Sequence, residues 1–200
     1  MRRIVYLLAI WFAGLLAARA QFVMAVSYTE TDPGGRGLYT YFDTTPPSKL
    51  TDGVLGANSW QADLGHGPAA EWVGWDNGSN PTLVFTFAGS PTINQVQVGF
   101  NRAEEVNIFL PAAVTINGTI FPVGAGAIAN DTRGFLDFNG PWTGNTVTVS
   151  LTDVGNEYAF ADEVQFAGTG GIPEPQTYAA MLGLATLGLA AWRRRKSSPA

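Results

Sequence analysis

The chain has 200 residues, no cysteine, one histidine and a formal net charge of −5. Without cysteine, disulfide stapling, thiol chemistry and Cys-ligated metal clusters are excluded. Residues 21 to 175 hold only Arg36, Lys49, Arg102 and Arg133 against all 16 acids, a net charge of −12 for that span. With so few cations and no cluster of them, a nucleic-acid partner is excluded as well.

The chain opens as an export signal. Met1-Arg2-Arg3 is a positive start, Ile4 to Ala17 is almost wholly apolar, and Ala18-Arg19-Ala20 places small residues where a signal peptidase reads. Residues 1–20 are expected to be a signal peptide cut after Ala20. The alternative is a retained anchor, but the run is shorter than the ~20 residues a spanning helix takes.

The body that follows reads as all-β. Thr146 to Leu151 alternates most cleanly, with Val147, Val149 and Leu151 on one face against Thr146, Thr148 and Ser150. Ile93 to Phe100 and Thr82 to Phe87 follow the same period of two, which marks strands with one face buried. Shorter candidates are Val23 to Tyr28, Val106 to Leu110, Ala113 to Ile116, Thr119 to Val123, Gly134 to Phe138 and Phe160 to Phe166. Turn signals separate them, and Asn117-Gly118 is the best two-residue hairpin signal, since a type I′ turn needs positive φ at both positions. Many short strands at this spacing predict a β-sandwich of the jelly-roll kind over residues 21–167, followed by a Gly-rich linker over 168–171.

Catalytic signals are missing from this body. His66 lies in a loop with no identifiable partner, too little for a zinc site or a serine triad. Glu104 and Glu105 are adjacent, so on a strand they would face opposite ways and could not act as a glycosidase pair. Gly124-Ala125-Gly126 lacks the Lys-Ser/Thr of a phosphate loop. The chain is expected not to be an enzyme.

Three stretches together resemble the galactose-binding-like β-sandwich, the group of discoidin (F5/8 type C) domains and several carbohydrate-binding modules. They are Lys49-Leu50-Thr51-Asp52-Gly53 with Ser59-Trp60, the strands Pro81 to Phe87 and Ile93 to Val98, and the closing strand Phe160 to Phe166. The resemblance implies a structural calcium where the Asp-Gly turn meets the last strand, held by Asp52 and Glu163 with backbone carbonyls near Leu50 and Ser59. Such a shell of carboxylates and carbonyls suits calcium. The alternative is an ordinary turn and a solvated Glu163. Sugar-binding members use loop aromatics, which makes Trp72 and Trp75, beside polar neighbours in Glu71-Trp72-Val73-Gly74-Trp75-Asp76-Asn77, the stacking candidates, with Asn101 and Arg102 at a loop mouth. Tyr39, Tyr41, Trp60 and Trp142 are further aromatics. Core packing is the competing role for every tryptophan.

The tail joins Pro173-Glu174-Pro175 to an apolar run from Tyr178 to Trp192 and the basic cluster Arg193-Arg194-Arg195-Lys196. The run would be about 22 Å long as a helix, under the ~30 Å of a hydrocarbon core, and snorkelling arginines with the terminal Trp192 would make up some of the difference. By the positive-inside rule the cluster stays cytoplasmic and the body faces outward. Residues 172–196 resemble the PEP-CTERM sorting signal of Gram-negative bacteria. That resemblance implies a single transmembrane helix that anchors the protein transiently in the inner membrane. An exosortase-type transpeptidase then cuts near Pro173-Glu174-Pro175, and the body goes to the cell surface or extracellular matrix. The expected function is an exported, non-catalytic module binding exopolysaccharide or another matrix component. The alternatives are a structural or adhesive surface protein without a small-ligand site and, ranked last, a polysaccharide hydrolase.

Overall fold

The computed structural model describes residues 21–31, 41, 43, 46–56, 71–76, 79–152, 158–169, 183, 186 and 187. Ten strands run in chain order: β1 (Gln21–Phe22), β2 (Ala25–Glu30), β3 (Val73–Trp75), β4 (Thr82–Phe87), β5 (Thr92–Arg102), β6 (Ala113–Ile116), β7 (Thr119–Pro122), β8 (Thr132–Thr143), β9 (Thr146–Thr152) and β10 (Ala159–Thr169). They form two five-stranded sheets in which every pairing is antiparallel. One has the order β1-β10-β5-β8, with β3 also on β10; the other has the order β2-β4-β9-β6-β7. The protein is a β-sandwich.

Alternation builds the core. Leu83, Phe85 and Phe87 of β4 and Val147, Val149 and Leu151 of β9 are buried from one sheet, and Val96, Val98 and Phe100 of β5 from the other. Phe166 of β10 joins the layers, with its ring centroid 5.0 Å from that of Phe85 and 4.9 Å from that of Phe87, both edge-on. Edge-on rings add to the gain from burial alone. The hairpin signal at Asn117-Gly118 is realised with φ of 46° and 84°, closing β6 onto β7 at Ile116 and Thr119.

Two local expectations are corrected. Val106 to Leu110 is not a strand. Glu104–Val106 forms a 3₁₀ turn that ends at Asn107 with φ 64°, and Ile108 makes only isolated bridges to Ala103 and Tyr158. Both acids serve the turn: Arg102 donates to Glu104 Oε1, and Asn130 donates to Glu105 Oε2. Gly168 and Thr169, expected in the linker, are the last residues of β10. The signal peptide over 1–20, the sorting tail with Pro173, Glu174, Pro175, Arg193, Arg194 and Arg195, and His66 lie outside the described residues. Among those described, no helix is long and apolar enough to cross a membrane.

Candidate functional site at the edge of the closing strand

One edge of β10 carries β3 at Ala159 to Ala161 and β1 at Ala167 and Gly168. Between them Asp162 to Gln165 is met by the chain around residues 48–56. Asp43 prepares that segment. Its Oδ2 accepts the backbone N–H groups of Ser48 at 3.0 Å and Lys49 at 2.9 Å, and also the hydroxyl of buried Tyr28. A 3₁₀ turn over Lys49–Thr51 follows. Asp52 then closes an Asx turn by accepting the Val54 N–H at 2.8 Å. Gly53 takes φ +78°, a conformation that its lack of a Cβ permits.

The turn is tied to two adjacent acids of β10. Gly53 donates its N–H to Glu163 Oε2 at 3.1 Å, and Gly56 donates to Asp162 Oδ2 at 2.7 Å. Neighbours on a regular strand would point to opposite faces, but β10 is irregular here. Ala161 pairs with Phe100 and Glu163 with Gly99, leaving Asp162 as the extra residue of a bulge. Bulges re-aim side chains next to sites. This one turns Asp162 over β5 toward Arg133 of β8, whose Nε and Nη2 reach Asp162 Oδ2 and Oδ1 at 2.5 and 3.1 Å. The ion pair crosses β5 at Gly99, where a Cβ would lie 2.1 Å from Asp162 Oδ1 and 2.6 Å from Arg133 Nη2. Arg133 also stacks on Phe135, 4.0 Å from its centroid. Burial nonetheless raises the Asp162 carboxyl above its ordinary range, with Arg133 opposing the shift.

Glu163 has a different environment. It is 5% exposed and pushed up to about 7, first by burial and then by the charges of Asp52 and Asp162, while the Gly53 N–H and Arg133 pull it down. It lies in an open cleft of about 220 Å³, whose lining includes Phe22, Met24, Thr51, Asp52 and Gln165. Phe22 and Met24 are 49% and 75% exposed. The cleft therefore combines an aromatic ring and a thioether with carboxyl, hydroxyl and amide groups.

Other residues singled out from sequence lie elsewhere. Trp72 and Trp75 are not exposed: both are core side chains, 1% and 0% exposed, and Trp75 Nε1 donates to Glu30 Oε1 at 2.5 Å. Trp142 and Tyr41 are buried too. Asn101 is buried and donates through Nδ2 to the Thr132 carbonyl. Arg102 is held by Glu104 and the Ile128 carbonyl, so it does not project into a loop mouth. Asp52 and Glu163 do line one cleft, and Leu50 is buried beside them in the 3₁₀ turn. Ser59 and Trp60 are outside the described residues. Among the described residues no group of three or more His, Cys, Asp or Glu side chains is placed to hold a metal, so a cation at Asp52 and Glu163 would need carbonyl ligands as well. Phe22, Met24, Gln165 and the Arg133–Asp162 pair were missed. For Phe22 and Met24 the available signal was the run Gln21-Phe22-Val23-Met24-Ala25, in which large residues alternate beside the expected signal cut.

Residues 171–196 match the PEP-CTERM protein-sorting motif. The PEP-CTERM segment contains the Pro-Glu-Pro, apolar run and basic cluster read above. It implies a protein that is exported, sorted to the cell envelope and processed by an exosortase. No curated protein sequence matches the chain. Among solved structures, the body is similar to the family 32 carbohydrate-binding module of AlyQ in complex with 4,5-unsaturated mannuronic acid, at 15% identity and a TM-score of 0.44 over 73% of this chain and 97% of that one. It is similar to the family 32 module of NanJ from C. perfringens in complex with galactose, at 13% identity and a TM-score of 0.41 over 70% and 92%. A fucose-binding module from Streptococcus pneumoniae gives 12% identity and a TM-score of 0.46 over 74% and 96%.

Proposed function

We propose that the mature protein is an exported, non-catalytic module that binds extracellular polysaccharide through the cleft between β1, the turn at Asp52-Gly53 and β10. A signal peptidase cuts after Ala20, and an exosortase-type enzyme removes the tail, releasing the body to the cell surface or matrix. One observation carries the reading: the cleft sets the exposed Phe22 ring and Met24 beside Thr51, Asp52, Glu163 and Gln165. Sugars present the matching surface, an apolar ring face bordered by hydroxyls. At about 220 Å³ the cleft is smaller than typical small-molecule sites, which suits one sugar residue of a longer chain rather than an enclosed ligand. Catalysis by a carboxylate pair is disfavoured because Asp162, the acid next to Glu163, is already held by Arg133 and Gly56.

Calcium at Asp52 and Glu163 is part of this proposal, with carbonyls of Leu50 and Ser59 completing the shell. The donors that support it are the carboxylates of Asp52 and Glu163, which line one cleft, so most of the shell would come from carbonyl oxygens. When bound, calcium would neutralise that charge and hold the turn on β10. Calorimetric titration of the exported protein against acidic and neutral glycans, with and without calcium, tests both parts. Binding that Phe22→Ala weakens roughly tenfold, or by about 1.4 kcal/mol, is expected. No binding to any of the producer's exopolysaccharides with calcium present overturns the carbohydrate reading.

A second reading, adhesion without a small-ligand site, draws on the exposed apolar side chains of Phe22, Met24, Val26, Val54 and Leu55. Concentration-dependent sedimentation without glycan binding would favour it.

A further inference from the structure

We propose that the mature chain begins with a pyroglutamate at position 21. The inference goes beyond the ligand reading and rests only on its export step, the cut after Ala20. That cut makes Gln21 the first residue. Its main chain is not a loose end, because β1 pairs Gln21 with Gly168 and Phe22 with Ala167, and Val23 donates its N–H to the Phe166 carbonyl at 2.8 Å. Its side-chain amide nitrogen Nε2 is buried and has no hydrogen-bond partner among the described residues. A buried donor left unpartnered is a standing cost to the fold, and the cut would add a charged ammonium on the same residue.

One reaction removes both. The freed α-amine attacks the Cδ carbonyl carbon of its own side chain. A bond forms between the α-nitrogen and Cδ, the bond from Cδ to Nε2 breaks, and Nε2 leaves as ammonia with the proton that the amine gives up. No oxidant, reductant or water is consumed. The five-membered lactam keeps one N–H donor and one carbonyl acceptor, and it leaves the ψ of residue 21 free for its place beside Gly168. The buried nitrogen and the terminal charge are both lost, and the chain end is closed to aminopeptidases.

The test is the N-terminal peptide of the protein exported by its producer. Free amines are capped chemically on intact cells at neutral pH, before any acid or heat can drive cyclisation, and the peptide is then read by mass spectrometry. The expected peptide starts at residue 21, is lighter than the glutamine form by one ammonia, and carries no cap. Gln21→Ala should give the same start with a capped amine, whether or not the variant folds well. A wild-type peptide starting at a capped Gln21 overturns the cyclisation and leaves the cut intact. A peptide starting at any other residue overturns the cut, and the cyclisation with it.

Discussion

Gly53 donates its backbone N–H to Glu163 Oε2 at 3.1 Å, joining positions 110 residues apart in the chain. Burial of Glu163, and after it the charges of Asp52 and Asp162, outweigh that hydrogen bond, and the carboxyl rises from 4.5 to about 7. The folded state therefore binds the Glu163 proton more tightly than the unfolded state does. The stability it contributes is fully present below pH 4.5 and is lost as pH rises through about 7. The loss is on the order of a few kcal/mol. Thermal melts without calcium should fall across that window. Glu163→Gln should flatten the fall, and a Glu163→Gln melt that still drops in parallel with the wild type would remove Glu163 as its source. Calcium near pH 7 should raise the wild-type melt and leave Glu163→Gln unmoved.

The Arg133–Asp162 pair should behave as a unit. Arg133→Met leaves a fully buried carboxylate facing only the backbone N–H groups of Gly56 and of Asp162 itself, and breaking a buried pair from one side costs about 3–5 kcal/mol. Adding Asp162→Asn keeps an acceptor for Gly56 and removes the charge, so the double variant should recover most of the loss. Gly99→Ala drives a methyl into both partners and should cost about 1–3 kcal/mol by overpacking. Urea denaturation of the wild type, Arg133→Met, Asp162→Asn and the double variant gives the cycle, with Gly99→Ala measured beside them. A double variant no more stable than Arg133→Met would show that the charge is not the cause.

Legibility in the sequence followed the length of the pattern. Thr146 to Leu151 could be read because six residues alternate without interruption, and β9 spans them. Asn117-Gly118 could be read because its conformational demand is local. β3 could not, because Val73-Gly74-Trp75 is three residues buried on both faces and has no period to display. Val106 to Leu110 misled because apolar spacing resembles a strand, while the 3₁₀ turn before it depends on Arg102 and Asn130 finding Glu104 and Glu105. For the site, the Asp52-Gly53 turn and Glu163 were visible through resemblance. The bulge at Asp162 was not, since it depends on Gly99 being bare on the neighbouring strand. Exposure of a tryptophan was equally hidden, because polar neighbours in sequence do not say which face is wet.

Trp72 and Phe22 should separate stability from binding. Trp72 is 1% exposed and fills space that Gly56 leaves for it, where a Cβ would lie 2.3 Å from the indole. Trp72→Ala should cost about 3–5 kcal/mol through the cavity it leaves, and should lower glycan binding only in proportion to the unfolded fraction. Phe22 is half exposed at the cleft rim, so Phe22→Ala should stay within about 0.5 kcal/mol of the wild type in stability. Its binding should nevertheless weaken, because an exposed ring is the group a sugar face can reach. Denaturation and glycan titration on the same two preparations make the comparison. If Phe22→Ala binds like the wild type while Trp72→Ala, corrected for its folded fraction, does not, the ligand enters near Trp72 and the cleft beside β1 is not the binding site.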